Sequence, residues 1–225
     1  MTVRPFDVGA LDVGAPDVGP LGVGPLIVGL GGTVRPGSSS EKALVLALAT
    51  AEAAGARTAL FGGAFLADLP IYNPHDPFCG PEMTRFLAAI SAADGIIVST
   101  PGYHGSISGV VKNALDSLEG LKDDPRPYFD GRAVGCIVSA GGAQASGSTL
   151  AALRSIIHAL RGWPTPYAAA INCQTTKLDD DGGASDPEVL EQLAVVGRQV
   201  ARFAPPLVTD RACYQTSNGL ALVPQ

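Results

Sequence analysis

At 225 residues the chain has room for one α/β domain with a sizeable core, or for such a domain with an added arm. Hydrophobic residues make up 46% and charged residues 16%, with a formal net charge of −6, which fits a sheet buried on both faces and argues against binding nucleic acid through phosphate contacts. No apolar run reaches the roughly 18 residues of a spanning helix, and no basic segment followed by an apolar stretch opens the chain, so the sequence predicts a soluble, cytoplasmic protein without membrane association.

Residues 7–26 run as a pentad repeat, DVGAL, DVGAP, DVGPL, GVGPL. Gly and Pro at this density block a helix and penalise a strand, so residues 1–25 are expected to be a flexible arm. The folded domain is expected over 26–203, with a weakly patterned tail at 204–225. Its first strand is predicted at 26–30, ending in Gly31 and Gly32. A helix follows at 40–54, with Ala43, Leu44, Ala47 and Leu48 at helical spacing and Gly55 as its stop. A second strand is predicted at 58–61, then a long irregular connection at 62–80 that is rich in proline. Pro81 opens a helix to about residue 92, residues 95–100 form a third strand, and 107–118 a third helix. Ile107, Val110, Val111, Ala114, Leu115 and Leu118 supply that helix with an apolar stripe. Residues 133–139 and 166–172 are predicted strands, while 146–160 and 187–203 are predicted helices. Strand and helix alternate five times over about 180 residues, the pattern of a doubly wound parallel sheet.

The cysteines, Cys79, Cys136, Cys173 and Cys213, form no C-x-x-C pair, and the three histidines lack ligand spacing, so no metal site is expected. Cys136 and Cys173 sit in apolar runs and are expected as core thiols.

In a doubly wound sheet, ligands bind outside the carboxyl ends of the strands, beside the point where the winding reverses. Three predicted strand-end loops share a composition suited to this: residues 31–40, 101–106 and 139–147. The first reads GGTVRPGSSSEKAL. Its glycines leave amides accessible, its hydroxyls precede a helix, and Arg35 can add charge-assisted hydrogen bonds, which together suit a phosphate cradle. The same residues also read as an ordinary serine-rich helix cap. Neither G-x-G-x-x-G nor a P-loop is present, because Val34 stands at the third glycine and no Gly-Lys-Ser or Gly-Lys-Thr follows. The second loop reads STPGYHGSISGVVKNALDSL, and its Pro-Gly-Tyr turn can offer amides and a ring to a flat ligand. Ser106 near His104 suggests a hydrolase only superficially, since no G-x-S-x-G elbow accompanies the pair.

Together these loops resemble the NADPH-dependent FMN reductase family of flavodoxin-like proteins. The pattern G-S-x-R-x-x-S is matched by Gly32, Thr33, Arg35 and Ser38. The pattern T-P-x-Y-x-x-S-x-x-G-x-x-K-N-x-x-D is matched by Thr100, Pro101, Tyr103, Ser106, Gly109, Lys112, Asn113 and Asp116. The resemblance implies a flavodoxin-like, five-stranded parallel sheet of order 2-1-3-4-5 with helices on both faces. It implies FMN as cofactor, with Thr33, Arg35, Ser38, Ser39 and Ser40 around the phosphate. Pro101, Gly102, Tyr103, His104, Gly105 and Ser106 would line the isoalloxazine, and Ser139, Gly141 and Gly142 its pyrimidine edge. NADPH or NADH would be the hydride donor, and free flavin, a quinone or a similar small molecule the acceptor. The chemistry would lie at flavin N5, with no single catalytic side chain. The family also implies a homodimer or homotetramer, with a flavin-dependent monooxygenase as a partner class. Thr33 stands for the usual serine, Gly102 and His104 for Glu and Asn, and Ile107 for the Tyr of members that hand reduced flavin to a monooxygenase. The last departure favours flavin kept as a bound group. The rival reading is a flavodoxin-type electron carrier without nicotinamide oxidation. Arg35 and the lack of a T-x-T-G-x-T loop argue against it.

Overall fold

The computed structural model describes residues 24–75 and 80–204. The expected arm at 1–25 and tail at 204–225 lie outside the described residues except for 24, 25 and 204, as do Cys79 and Cys213.

Strand β1 (Leu26–Gly31) lies between β2 (Arg57–Phe61) and β3 (Gly95–Tyr103), parallel to both. A short β4 (Ser106–Ile107) folds back antiparallel onto the end of β3. Beyond β3 comes β5 (Ala133–Ala140), which pairs in parallel with both β6 (Trp163–Pro164) and β7 (Ala169–Asn172). The helices are α1 (Ser39–Ala53), α2 (Gly63–Asp68), α3 (Pro81–Ala92), α4 (Gly109–Asp116), α5 (Ala143–Ala159) and α6 (Pro187–Phe203). Period-2 alternation divides the strand side chains between two apolar layers. Val28, Leu30, Ile96, Val98, Val134, Cys136 and Val138 pack under α2 to α5. Ile27, Ile97, Ile137 and Ile171 pack under α1 and α6. The flavodoxin-like α/β class expected from the sequence is therefore the observed one.

The sheet has seven strands rather than five. One addition is β4. The other is β6, which lies ahead of the strand expected at 166–172; that strand itself is shortened to β7. Pro164 and Pro166 cannot donate to a ladder. The intervening backbone is instead satisfied by side chains: Arg154 Nη2 donates to the carbonyls of Thr165 (3.1 Å) and Pro166 (3.0 Å), and the Tyr167 amide donates to Gln199 Oε1 (3.1 Å).

Two other differences bear on the site. The connection at 62–80 contains α2, whose six residues begin at Gly63 and bury Leu66. The helix expected from residue 107 begins at 109, and Ile107 belongs to β4. Its start is fixed by Ser108, whose Oγ accepts from the Val111 amide (3.4 Å) while its own amide donates to Thr100 Oγ1 (3.0 Å). The apolar stripe is used inside the chain: Val111, Ala114, Leu115 and Leu118 are all buried in the core under the sheet.

At the amino ends of the strands, Arg132 is wholly buried. Its guanidinium donates to the carbonyls of Ala93 (2.8 Å), Ser91 (2.8 Å) and Tyr128 (3.0 Å), and burial lowers its pKa to about 10. Beside it, Asp94 Oδ2 accepts from the Leu26 amide at 2.8 Å, tying the starts of β1 and β3 together.

Candidate functional site

The carboxyl ends of β1, β3, β5 and β7 open on a cleft of about 550 Å³, within the range of about 300–1,000 Å³ typical of small-molecule sites. The loop after β1 forms one wall. Thr33 Oγ1 accepts from the Arg35 amide (3.0 Å), which turns the chain sharply ahead of α1. Ser38 caps α1 by accepting from the Glu41 amide (3.3 Å), and its hydroxyl lies 3.3 Å from that of Ser40. Ser40 is held from below, its carbonyl accepting from Ser99 Oγ at 2.7 Å. The N-terminus of the 15-residue α1 thus faces the cleft with two hydroxyls at its mouth, an arrangement that favours an anion.

Pressed against this loop is the start of α2. A Cβ at Gly63 would overlap the Thr33 carbonyl, so only glycine lets the two backbones approach this closely. Arg35 projects from the loop exposed to solvent and has no hydrogen bond or ion pair from its side chain among the described residues. It is also the one charged residue among the described cleft walls, in a chain whose net charge is −6.

The second wall is the end of β3. Tyr103 pairs with Ser106 across a two-residue turn made by His104 (φ 51°) and Gly105 (φ 87°), both left-handed. That geometry suits Gly at the second position and strains the histidine. Pro101, Gly102 and Tyr103 line the cleft, and Tyr103 stands 52% exposed. The third wall is the end of β5, with Ser139, Ala140 and Gly141.

Of the residues expected at the cofactor, Thr33, Arg35, Ser38, Ser39, Ser40, Pro101, Gly102, Tyr103, Ser139 and Gly141 share this cleft. His104 and Gly105 occupy the hairpin turn, Ser106 pairs beside it, and Gly142 caps α5; none of these four is among the cleft walls. The walls also include Val34, Ser108, Gly109, Val110, Ala140 and Cys173. Ser108 fell inside the helix expected at 107–118, and Cys173 read as a core thiol. Cys136 is a core thiol, its pKa pushed up to about 12 by burial, but Cys173 is half-buried and lines the cleft. Among the described residues no cluster of His, Cys, Asp and Glu could hold a metal ion, and no helix is long and apolar enough to cross a membrane.

The residues present fit FMN. The helix N-terminus and Arg35 suit its phosphate, and the cleft has the volume and an aromatic wall for its ring. Ser139 Oγ adds an unsatisfied polar atom: it is buried at the cleft wall and has no hydrogen-bond partner among the described residues. Such an atom commonly marks a missing ligand or water.

Comparison with known proteins identifies the family and the fold. The NADPH-dependent FMN reductase family matches residues 25–176. An FMN-dependent NADPH-azoreductase of Staphylococcus aureus is 40% identical over 91 residues, which are 40% of this chain and 45% of that enzyme. The match thus spans about half the length of that relative. Among solved structures, the flavoenzyme NAD(P)H:(acceptor) oxidoreductase of Paracoccus denitrificans superposes with a TM-score of 0.62 at 20% identity, covering 80% of this chain and 100% of the other. An NADH:FMN oxidoreductase in its apo form gives a TM-score of 0.58 at 20% identity, covering 80% and 90%.

Proposed function

Because the chain belongs to the NADPH-dependent FMN reductase family, we propose that it is an NAD(P)H-dependent reductase, which uses bound FMN to pass hydride from a reduced nicotinamide to a second small-molecule acceptor. The observation that carries this reading is the single cation, Arg35, beside the N-terminus of α1 at one end of a cleft whose next wall is Tyr103.

FMN held there supplies two-electron redox chemistry at N5. The chain's own residues bind and orient. Thr33, Ser38, Ser39 and Ser40, with Arg35, hold the phosphate through hydroxyls, amides and a guanidinium. Pro101, Gly102 and Tyr103 would form the wall against the ring. Ser139 and Gly141 would face the pyrimidine edge, where the Ser139 hydroxyl, without a partner among the described residues, could offer a hydrogen bond and nearby amides would stabilise negative charge. No acidic side chain is among the described cleft walls, which favours an anionic cofactor and a cleft that collects electron density. His104, Gly105, Ser106 and Gly142 act through the shape of the β3–β4 turn and the start of α5.

A cytoplasmic location, self-association as a homodimer or homotetramer, and a flavin-dependent monooxygenase as partner belong to the same proposal. Trp163, 69% exposed at the sheet edge, is apolar surface that self-association would cover. The test of the function is consumption of NADPH and NADH by FMN-loaded protein with a quinone and with free FMN as acceptors. Turnover with at least one nicotinamide is expected. FMN-loaded protein inert to both would leave an electron carrier of the flavodoxin type.

A further inference from the structure

Ser139 and Cys173 line the cleft from adjacent strands. Ser139 lies opposite Ile171 in the parallel pairing of β5 with β7. The ladder runs on one residue past β7, because the Cys173 amide donates to the Ala140 carbonyl at 2.9 Å. Side chains alternate along a strand, so Cys173 shares the sheet face of Ile171 and therefore that of Ser139. Strand spacing and rise put the two residues about 8 Å apart, within reach of one bound molecule. Cys173 and Ile171 belong to the apolar layer under α1, whose N-terminus faces the same cleft.

Ser139 is 4% exposed, yet its Oγ has no hydrogen-bond partner among the described residues, a cost that a molecule bound at this wall removes. Cys173 carries a free, half-buried thiol on that wall, whereas Cys136 is 1% exposed and closed to soluble reagents. The orphaned hydroxyl marks a place that a ligand reaches, and the thiol stands beside it. The charge of the cleft narrows what the thiol can meet. Arg35 is the one charged residue among the described cleft walls, and the N-terminus of α1 adds positive partial charge. A thiol so placed is matched to a small, negatively charged reagent that is soft at sulfur.

We propose that Cys173 is a modification site for a small anionic disulfide, and that the mixed disulfide fills space beside Ser139 that the cofactor needs. The cleft then loads cofactor only while this thiol is reduced. In the exchange, the Cys173 sulfur attacks as its thiolate on one sulfur of the disulfide. The old S–S bond breaks as the new one to the protein forms, and the other half leaves as a thiolate that takes up the proton Cys173 lost. Cys173 is oxidised and the departing half is reduced, so no further oxidant enters. The competition with cofactor rests on the flavin reading above; the reaction of the thiol does not.

The experiment uses the full-length protein, flavin-free and FMN-loaded, with oxidised glutathione as the anionic probe and cystamine as its cationic counterpart. Peptide mass mapping reads the site of reaction. In flavin-free protein, oxidised glutathione should place one glutathionyl group on the Cys173 peptide, and saturating FMN should suppress that labelling. Glutathionylated protein should take up no FMN, and dithiothreitol should restore uptake. Cys173→Ser protein treated alike should lose none of its own FMN uptake. Rates normalised to those with N-acetylcysteine should favour oxidised glutathione over cystamine by about tenfold at low salt, and Arg35→Ala should erase most of that preference. Cys173 left unlabelled in flavin-free protein overturns the modification site, whatever label other cysteines carry. Labelling of Cys173 at an unchanged rate with FMN bound, or undiminished FMN uptake by the modified protein, overturns the competition. Equal normalised rates for the two disulfides overturn the choice of an anionic reagent. Unmodified protein that takes up no FMN removes the flavin reading and the competition with it, and the Cys173 label, read by mass, still decides the modification site.

Discussion

Arg35 was legible in the sequence as the cation of a phosphate loop, and the structure brings it to a cleft with no other charged wall residue among those described. Its side chain is exposed and pairs with nothing described, so its contribution should appear only when ligand binds. Arg35→Ala is expected to weaken FMN binding by about 1.5–3 kcal/mol, the value of a hydrogen bond to a charged group, and to leave unfolding of the apo protein unchanged. Fluorescence titration with FMN checks this, and unchanged affinity would remove Arg35 from the phosphate site. Cys173 was not legible, because a cysteine in an apolar run looks the same whether its strand ends inside the core or at a cleft. Only the register of β7 on β5, which sets Asn172 opposite Ala140, places the next residue at the wall.

Among the elements, α2 shows why local sequence was insufficient. Six residues starting from a glycine pair carry little helical signal, and the element persists because Leu66 joins the core and the backbone fits against Thr33. Gly63→Ala would push α2 away from the loop after β1. It is expected to cost about 1–3 kcal/mol of stability, as overpacking does, and to lower FMN affinity as well. Urea unfolding and FMN titration measure the two effects; stability lost with affinity intact would separate α2 from the site. The β3–β4 hairpin was likewise hidden, since Ile107 continues the apolar pattern of α4 and only the Ser108 cap and the His104–Gly105 turn separate them.

At the scale of the whole molecule, the parallel sheet and its two apolar layers followed from strand alternation, and the cleft follows from their winding. The buried Arg132 network and the proposed cofactor cleft lie at opposite ends of that sheet. At the amino ends, Arg132 satisfies three carbonyls from two segments, so Arg132→Met should lose about 3 kcal/mol in chemical unfolding without altering FMN affinity per folded molecule. Nearby, burial raises the Asp94 carboxyl above its ordinary 3.8, against the Leu26 amide and the arginines Arg126, Arg57 and Arg132 that pull it down. A raised acid binds its proton more tightly in the folded chain than in the unfolded one. Its contribution to stability is therefore greatest in acid and falls as pH rises from about 4 through the raised value. Asp94→Asn should remove that part of the slope in unfolding measured against pH, and an unchanged slope would assign it to other groups. The central claim concerns the other end of the sheet, and anaerobic titration tests it most directly: purified protein is loaded with FMN, NADPH or NADH is added, and the flavin absorbance is followed. Bleaching by at least one nicotinamide, reversed by a quinone, is the predicted result. Failure to take up FMN, or a flavin band that neither nicotinamide bleaches, would contradict the account.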